Sequence, residues 1–164
     1  MPSPNKLRAQ DAHLHRAEAY GWRLHNPGRL LSNALRRFED RVLELLAESG
    51  YSEARRTHVN LTRHLDLEGT RITELARRAA MTNAAMTELI DQCVQLGWVQ
   101  RENDPADKRV RIVSFTSQGL KWLDAFGRAV QQAQQEMSEA MGESRLQQLM
   151  RSLARYAPSQ EDKA

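Results

Sequence analysis

Residues 69–115 read GTRITELARRAAMTNAAMTELIDQCVQLGWVQRENDPADKRVRIVSF, and they carry two short helical patterns joined by a tight turn. In the first pattern, apolar side chains recur at helical spacing on one face, and Thr73 stands where an N-cap belongs. In the second pattern, Thr82 is the N-cap candidate and Gly97 supplies a C-terminal stop. The apolar positions of the first helix are Ile72, Leu75, Ala76 and Ala79.

The second helix has one face suited to packing and one suited to solvent. Polar residues recur every four positions on the solvent face, namely Asn83, Thr87, Asp91 and Gln95. We expect the packing face to consist of Ala85, Leu89, Cys93 and Leu96, with Met86 and Ile90 beside it.

A β-hairpin is predicted directly after this helix. Residues 98–102 and 110–115 are rich in β-forming side chains, and the loop at 103–109 combines turn-forming residues with two final cations, Lys108 and Arg109. Two helices followed by a hairpin with a basic tip predict a winged helix-turn-helix with a two-stranded β-wing. That architecture is typical of DNA-binding proteins.

This part of the chain resembles the MarR (multiple antibiotic resistance regulator) family of transcription factors. The matching features are the RITELARRAAMT segment, the helix ending LIDQCVQLGWVQR, the DPADKR wing and the FTSQG segment that opens the next helix. The resemblance extends in detail over about residues 55–123, and over the flanks only as helical pattern. It implies a mainly α fold in which N- and C-terminal helices of two chains interlock as a dimer.

The resemblance also implies a set of DNA-contacting residues. It assigns Arg109 to the minor groove, where negative potential concentrates and a guanidinium fits well. The N-terminal half of the second helix would meet the major groove, and the first helix would contact phosphates. The set comprises Arg77, Arg78, Thr82, Asn83, Ala84, Thr87, Asp107, Lys108 and Arg109.

Three positions depart from the family's usual pattern. Relatives often carry longer or charged side chains where Asn83 and Ala84 stand, and an arginine is common at the position of Gln92. The shorter side chains shift the expected readout toward Asn83, the wing and DNA shape. Because Gln92 stands in place of that arginine, one possible bracing contact or phosphate contact is missing.

The N-terminal flank contains a strong helical signal after an ambiguous start. Residues 7–20 could form a polar helix, whereas Asn26 and Pro27 predict an N-cap and first helical position. The helix they open carries an apolar stripe as far as Gly50, and Ser52 is expected to cap a further helix through about Leu65. The stripe consists of Leu31, Leu35, Phe38, Val42, Leu45 and Leu46.

Two more helices are predicted after the hairpin. Thr116 caps the first, Gly142 ends it, and a final helix runs to about Tyr156 before Pro158. The apolar stripes of these helices exceed what one small central unit can cover, which favours a dimer over an intrachain bundle. The stripes are Leu120, Leu123, Phe126, Val130, Ala133, Met137 and Met141, and then Leu146, Leu149, Met150, Leu153 and Tyr156.

We therefore divide the chain into dimerisation helices at 1–50, a DNA-binding unit at 51–115, further dimerisation helices at 116–157 and a disordered tail at 158–164. Its 164 residues and 40% hydrophobic content suit one compact domain. The net charge of +3, from 24 basic and 21 acidic residues, only permits a polyanionic partner.

The composition favours a cytoplasmic protein without a membrane anchor. No apolar run reaches the roughly 20 residues that span a bilayer, and the N-terminus lacks the apolar core of a signal peptide. The single cysteine, Cys93, cannot form an intrachain disulfide, and we expect a buried inert thiol there rather than a redox sensor. We expect no metal site, because neither His13 with His15 nor His58 with His64 has the i, i+4 spacing of paired ligands.

A small-molecule site is a further hypothesis. Family members commonly bind aromatic acids, and Arg16, Tyr20 and Trp22 could line a pocket for a small aromatic or carboxylate effector or could simply pack in the dimer. The function that these observations favour is a homodimeric, ligand-responsive transcriptional regulator, most often a repressor in this family, that binds a pseudo-palindromic operator.

The alternative is a small-molecule-binding or protein-interaction module that kept the winged fold without sequence-specific DNA binding. Two adjacent cations at the hairpin tip favour the regulator, since a module freed from DNA has no need of them. The sequence carries no paired catalytic carboxylates, nucleophile with base or phosphate-binding glycine loop, so we expect neither an enzyme nor a cofactor.

Overall fold

The computed structural model describes residues 19–104 and 110–157. The chain divides into two compact units, residues 1–38 and 39–164. The fold is mainly helical with a small antiparallel sheet. After a short 3-10 helix at Gly21–Arg23, the elements are α1 (Pro27–Glu48), α2 (Arg56–Thr62), β1 (Thr70–Arg71), α3 (Ile72–Arg78), α4 (Asn83–Gln95), β2 (Val99–Asn103), β3 (Arg111–Phe115), α5 (Ser117–Met141) and α6 (Glu143–Tyr156).

The start of α1 confirms the expected cap. The Asn26 side chain accepts a hydrogen bond from the backbone N–H of Arg29 at 3.0 Å and donates one to the Trp22 carbonyl at 2.8 Å. Pro27 occupies the first helical position, where its missing N–H costs nothing. The polar helix predicted for residues 7–20 lies almost entirely outside the described residues.

The prediction that Ser52 caps a helix reaching Leu65 is wrong at both ends, because α2 spans only Arg56–Thr62. Residues 51–54 form a turn in which the N–H of Ala54 bonds to the Tyr51 carbonyl at 3.1 Å. Arg55 becomes the N-cap, and Nδ1 of His58 accepts its backbone N–H at 3.2 Å. A histidine three residues into the helix thus does what Glu or Gln does in a capping box.

The sheet has three strands rather than the two predicted, in the order β1-β3-β2. β1 pairs antiparallel with β3, with Thr70 opposite Val113, and β2 pairs with β3, with Val99 opposite Phe115. Because pairing holds Arg71 in an extended conformation, Arg71 and not Thr73 is the N-cap of α3. A strand of two residues has no periodicity by which the sequence could reveal it.

The last two helices begin and end where the sequence indicated. Thr116 Oγ1 accepts the backbone N–H of Gly119 at 2.9 Å and so caps α5. Gly142, with φ at +90°, ends it and leads into α6. A non-glycine residue would be strained in that conformation.

The buried face of α5 differs from the predicted stripe. It consists of small residues around one large one, Trp122, Ala125, Ala129 and Ala133, with Ser138 further along. Leu120, in contrast, is 45% exposed, and Phe126 and Val130 are half-buried. The predicted stripe was assigned to contacts with a second chain and stays a prediction, whereas contacts within the chain bury mainly alanine on α5.

An aromatic stack lies at the centre of the core beside α5. The rings of Trp98 and Trp122 stack with centroids 4.7 Å apart, and Phe126 stacks on Trp122 at 5.4 Å. The His58 ring meets Trp98 edge-on at 5.4 Å. This stack joins α2, the residue between α4 and β2, and α5 in one packed cluster.

A close backbone approach positions α5 against the residue that precedes the wing. The carbonyl of Trp98 accepts the backbone N–H of Thr116 at 3.1 Å. A Cβ built on Gly119 would lie 1.8 Å from that carbonyl oxygen. Only glycine fits at this crossing.

Within residues 19–104 and 110–157, no helix is both long and apolar enough to cross a membrane. The same part of the chain contains no group of three or more His, Cys, Asp or Glu side chains arranged to hold a metal ion.

Candidate nucleic-acid interface

Helix α4 is the recognition helix of the helix-turn-helix, and its two ends confirm the sequence prediction. Thr82 Oγ1 accepts the backbone N–H of Ala85 at 3.2 Å, which caps the N-terminus. At the other end, Gly97 has φ at +73° and its N–H bonds to the Val94 carbonyl at 2.9 Å. The turn before α4 also contains Ala80, whose φ of 51° is positive.

The inner face of α4 consists of Met86, Leu89, Ile90 and Cys93, all of them buried. Ala85, which the predicted stripe placed on this face, is exposed instead. Because successive helical residues turn by 100°, Ala85 lies about 90° from the centre of this face, nearly as far as the exposed Gln92. Met86, the next residue, lies close to the centre and is buried in its place. Burial raises the pKa of the Cys93 thiol to about 12, as expected for an inert thiol.

The outer face presents the residues predicted to meet DNA. Thr82, Asn83, Ala84 and Thr87 are all exposed. They lie at the N-terminal half of the helix, the end that enters the major groove in helix-turn-helix proteins. The structure therefore brings this part of the predicted set together on one accessible surface.

Arg101 connects the wing to the recognition helix, a contact that the sequence analysis missed. Its Nη1 donates to the Asp91 carboxylate at 2.5 Å, and its Nη2 donates to the Thr87 carbonyl at 3.2 Å. Arg101 lies in β2, and Asp91 lies on the outer face of α4. Nothing in the local sequence pattern indicates a pairing between residues ten positions apart in different elements.

The two arginines of α3, predicted to contact phosphates, have different environments. Arg78 is half-buried and donates to Asp66, to Glu74 and to the His64 carbonyl. Arg77 is exposed and donates to Glu74 at 2.6 Å and 2.8 Å. These two guanidinium groups lower the pKa of Glu74 to about 2.

The contacts of Arg78 extend into the loop before β1. Thr70 is buried, and its Oγ1 accepts the backbone N–H of Asp66 at 2.9 Å and donates to the carboxylate at 3.0 Å. Since Thr70 pairs with β3, this loop connects α3 to the wing sheet. Arg78 thus has a bracing role in the structure, whereas Arg77 is the more accessible cation of the pair.

The wing tip lies outside the described residues. It contains Arg109, which the resemblance assigns to the minor groove, Asp107, which it assigns to bracing that arginine or the wing, and Lys108. The base of the wing is described. There Arg71 Nη2 donates to the Asp104 carboxylate at 2.9 Å, which ties β1 to the end of the β2 strand.

Gln92 provides a contact that the sequence analysis did not anticipate. Its side chain interacts with the buried ring of His58, and this interaction partly offsets the lowering of the His58 pKa by burial. His58 Nδ1 accepts the Arg55 N–H, so the neutral ring carries its proton on Nε2. The residue that replaces a common arginine therefore braces α4 against α2.

Of the residues predicted to line an effector pocket, Arg16 lies outside the described residues. Tyr20 is 56% exposed and Trp22 is 66% exposed.

The central segment of the chain matches a known family. Residues 60–110 match the family model described as the MarR family. Among curated proteins, the transcriptional regulator HosA from Escherichia coli O111:H- is 40% identical over 60 residues, which cover 37% of this chain and 44% of HosA. The alignment thus spans less than half of that relative.

Solved structures share the fold over most of the chain. The reduced form of MarR from E. coli matches with a TM-score of 0.70 at 22% identity, covering 82% of this chain and 98% of MarR. A mutant MarR from E. coli complexed with operator DNA matches with a TM-score of 0.67 at 22% identity, covering 87% and 97%. The transcriptional repressor CouR bound to a 23-mer DNA duplex matches with a TM-score of 0.65 at 21% identity, covering 83% and 95%. Residues 60–110 are thus similar to the MarR family and to part of HosA, and the chain shares its fold with the solved MarR and CouR structures.

Proposed function

We propose that the protein is a homodimeric, ligand-responsive transcriptional repressor that acts in the cytoplasm and binds a pseudo-palindromic DNA operator. The observation that carries the proposal is the recognition helix α4, which exposes Asn83, Ala84 and Thr87 beside a wing of the MarR type. Short polar side chains at a helix N-terminus can reach phosphates and base edges in the major groove. The basic tip residues Lys108 and Arg109 supply the complementary contact to the minor groove.

Dimerisation is supported by apolar side chains that remain exposed on the helices flanking the winged unit. On α1 they are Leu30, Leu31 and Leu35, and on α6 they are Met150, Leu153 and Tyr156, each between 37% and 84% exposed. Isolated exposed apolar residues are ordinary, but runs at helical spacing mark contact surfaces. A second copy of the chain is the partner that a two-fold operator requires.

Effector binding is the third part of the proposal. Tyr20 and Trp22 present aromatic surface at the start of the described chain, and a small aromatic or carboxylate compound is the ligand class that suits them. Because both side chains are exposed, a closed pocket at this position would need additional surface from the dimer.

The proposal is tested by selecting genomic fragments on the purified protein and sequencing them. We expect a recurring inverted repeat whose half-sites lie about 10 base pairs apart, centre to centre, or a multiple of that. Light scattering should give twice the 18.8 kDa chain mass. A dimer that enriches no sequence would favour the alternative of a winged module without sequence-specific DNA binding.

The salt dependence of operator binding provides a second, independent measurement. Because Arg78 is half-buried and pairs with Asp66 and Glu74, we expect each subunit to offer the phosphates chiefly the exposed Arg77, with Lys108 and Arg109. If about six phosphates are neutralised per dimer, the logarithm of the binding constant should fall with the logarithm of the salt concentration with a slope of about −5. A slope near zero would contradict DNA binding of this kind.

A further inference from the structure

The recognition helix carries an acidic residue at the centre of its outer face. Successive residues of a helix turn by 100°, so Ala84 and Glu88 lie directly opposite the buried side chains Leu89, Ile90 and Cys93. Glu88 is exposed, as Ala84 is one turn before it. A side chain at this position projects toward whatever the helix faces.

Two carboxylates, Glu88 and Asp91, share this outer face, but they differ in their partners. The guanidinium of Arg101 pairs with Asp91 at 2.5 Å and neutralises it. Within the parts of the chain that the structure describes, no side chain or backbone group donates to the Glu88 carboxylate. Among the described residues, Glu88 is therefore the carboxylate without a hydrogen-bonded cation on the outer face of α4.

An ionised carboxylate has few favourable partners in a DNA groove. It only accepts hydrogen bonds, and the phosphates repel it. On the major-groove edge, guanine presents two acceptors and thymine presents an acceptor and a methyl group. Adenine presents an amino donor beside the N7 acceptor, whereas cytosine presents its N4 amino group as a donor. Cytosine is thus the base that best compensates the charge of Glu88.

The neighbouring side chain is compatible with this role. Ala84 ends in a methyl group, so it offers no hydrogen-bonding group that competes for the same base edge and no bulk that would hold the helix away from the groove. The short side chain one turn before Glu88 leaves the carboxylate as the longest group on the outer face of the N-terminal half of α4.

We propose that Glu88 is a specificity-determining residue that reads the N4 amino group of a cytosine in each half-site of the operator. This inference rests on the proposed function, because it requires α4 to enter the major groove. A carboxylate in this place penalises other bases at one position and weakens binding to nonspecific DNA. The helix thereby gains selectivity although the other outward side chains of its N-terminal half are short.

The experiment is a selection from a library of duplexes built on the enriched operator, in which the half-site positions are randomised. It is carried out with wild type, Glu88→Gln and Glu88→Ala. Wild type should enrich cytosine at one column of the half-site. Glu88→Gln should enrich adenine there, because a glutamine amide pairs with N6 and N7 of adenine. Glu88→Ala should lose the preference at that column, and discrimination against the other bases should fall about 5- to 100-fold.

Glu68→Gln is the matched control, because Glu68 is an exposed carboxylate in the loop before β1 and its replacement makes the same charge change. That variant should keep the wild-type base preferences. Unchanged thermal unfolding of both Glu88 variants would show that the fold is intact.

Two outcomes would overturn the proposal, and they differ. If wild type enriches an operator but both Glu88 variants show the same preferences at every column, Glu88 does not read a base and the proposed function stands. If wild type enriches no sequence from either genomic or randomised DNA, the proposed function fails together with this inference.

Discussion

Arg78 and Asp66 form a two-pronged contact, in which Nη1 of the arginine lies 2.9 Å from both oxygens of the carboxylate. Asp66 also bonds to Thr70 at the start of the wing sheet, and Arg78 lies on the first helix of the helix-turn-helix. The ion pair therefore joins α3, which precedes the recognition helix, to the loop before β1, which pairs with the wing. Arg78 thus has a bracing contact within the protein, and its predicted contact with a phosphate stays a prediction.

Replacing Arg78 should accordingly reduce stability more than replacing its neighbour does. Arg78→Ala removes the guanidinium that donates to the Asp66 carboxylate and to the His64 carbonyl, and we expect a loss of about 1–2 kcal/mol in the free energy of unfolding. Urea unfolding measures this quantity. Arg77→Ala is the matched control: Arg77 pairs with Glu74 at an exposed position, where ion pairs contribute little, so this variant should lose less stability than Arg78→Ala while lowering DNA affinity. Equal stability of the two variants would contradict the bracing role.

The two glycines of α5 should respond oppositely to alanine. At Gly119, a Cβ would overlap the Trp98 carbonyl, so Gly119→Ala forces the backbone apart and should cost about 1–3 kcal/mol. Gly127 has no atom within 4 Å of the same added group, so Gly127→Ala should stabilise the helix by about 0.5–1 kcal/mol. Thermal unfolding of both variants separates the two effects by sign. A stable Gly119→Ala protein would show that the crossing is looser than the structure indicates.

Stability should depend on pH through His58. Its pKa is lowered chiefly by burial, so the folded state holds the proton more weakly than the unfolded state does. The contribution of the neutral His58 ring to the free energy of unfolding is therefore fully present above the unfolded-state pKa of about 6.5. It is lost as the pH falls below that value. Unfolding measured between pH 7 and pH 5 should show a decline that is flatter in His58→Gln.

His64 contributes with the same sign, because burial lowers its pKa as well. The double variant of His58 and His64 should therefore show the flattest profile of the set. A His58→Gln protein that keeps the full wild-type decline would contradict the assignment to His58.

Cys93 should be unreactive while the protein is folded. The side chain is 1% exposed and the pKa of its thiol is raised to about 12, so little thiolate is present or accessible at pH 8. An aromatic disulfide reagent should release no product from the native protein and one equivalent per chain in urea. Rapid modification of native protein would indicate that α4 detaches from the core.

The sequence allowed the helix-turn-helix to be predicted because its signals are local. Thr82, Gly97, Thr116 and Gly142 each mark a helix end through a side-chain cap or a positive φ, and such signals need only a few neighbouring residues. The solvent-facing positions of α4 followed from helical periodicity in the same way.

Most of the errors have the opposite origin, since they involve residues distant in the chain. β1 exists because Thr70 meets Val113. The α2 cap is a local exception, because the turn at 51–54 and the His58 ring make Arg55 the cap in place of Ser52. The roles of Arg78 and Gln92 depend on Asp66 and His58. No window of sequence contains these pairs as a pattern, so only the fold reveals them.

The two-residue strand β1 has a consequence for how a dimer would measure distance along DNA. The chain passes from β1 into α3 without an intervening loop, and β1 also pairs with the inner strand of the wing. The position of α3 is therefore tied to that of the wing, and in the proposed dimer each subunit would meet the duplex as a unit of fixed width. The spacing between half-sites would then depend on the angle between the two subunits. A ligand that changes this angle by a few degrees would put both helices and both wings out of phase with the helical repeat at once.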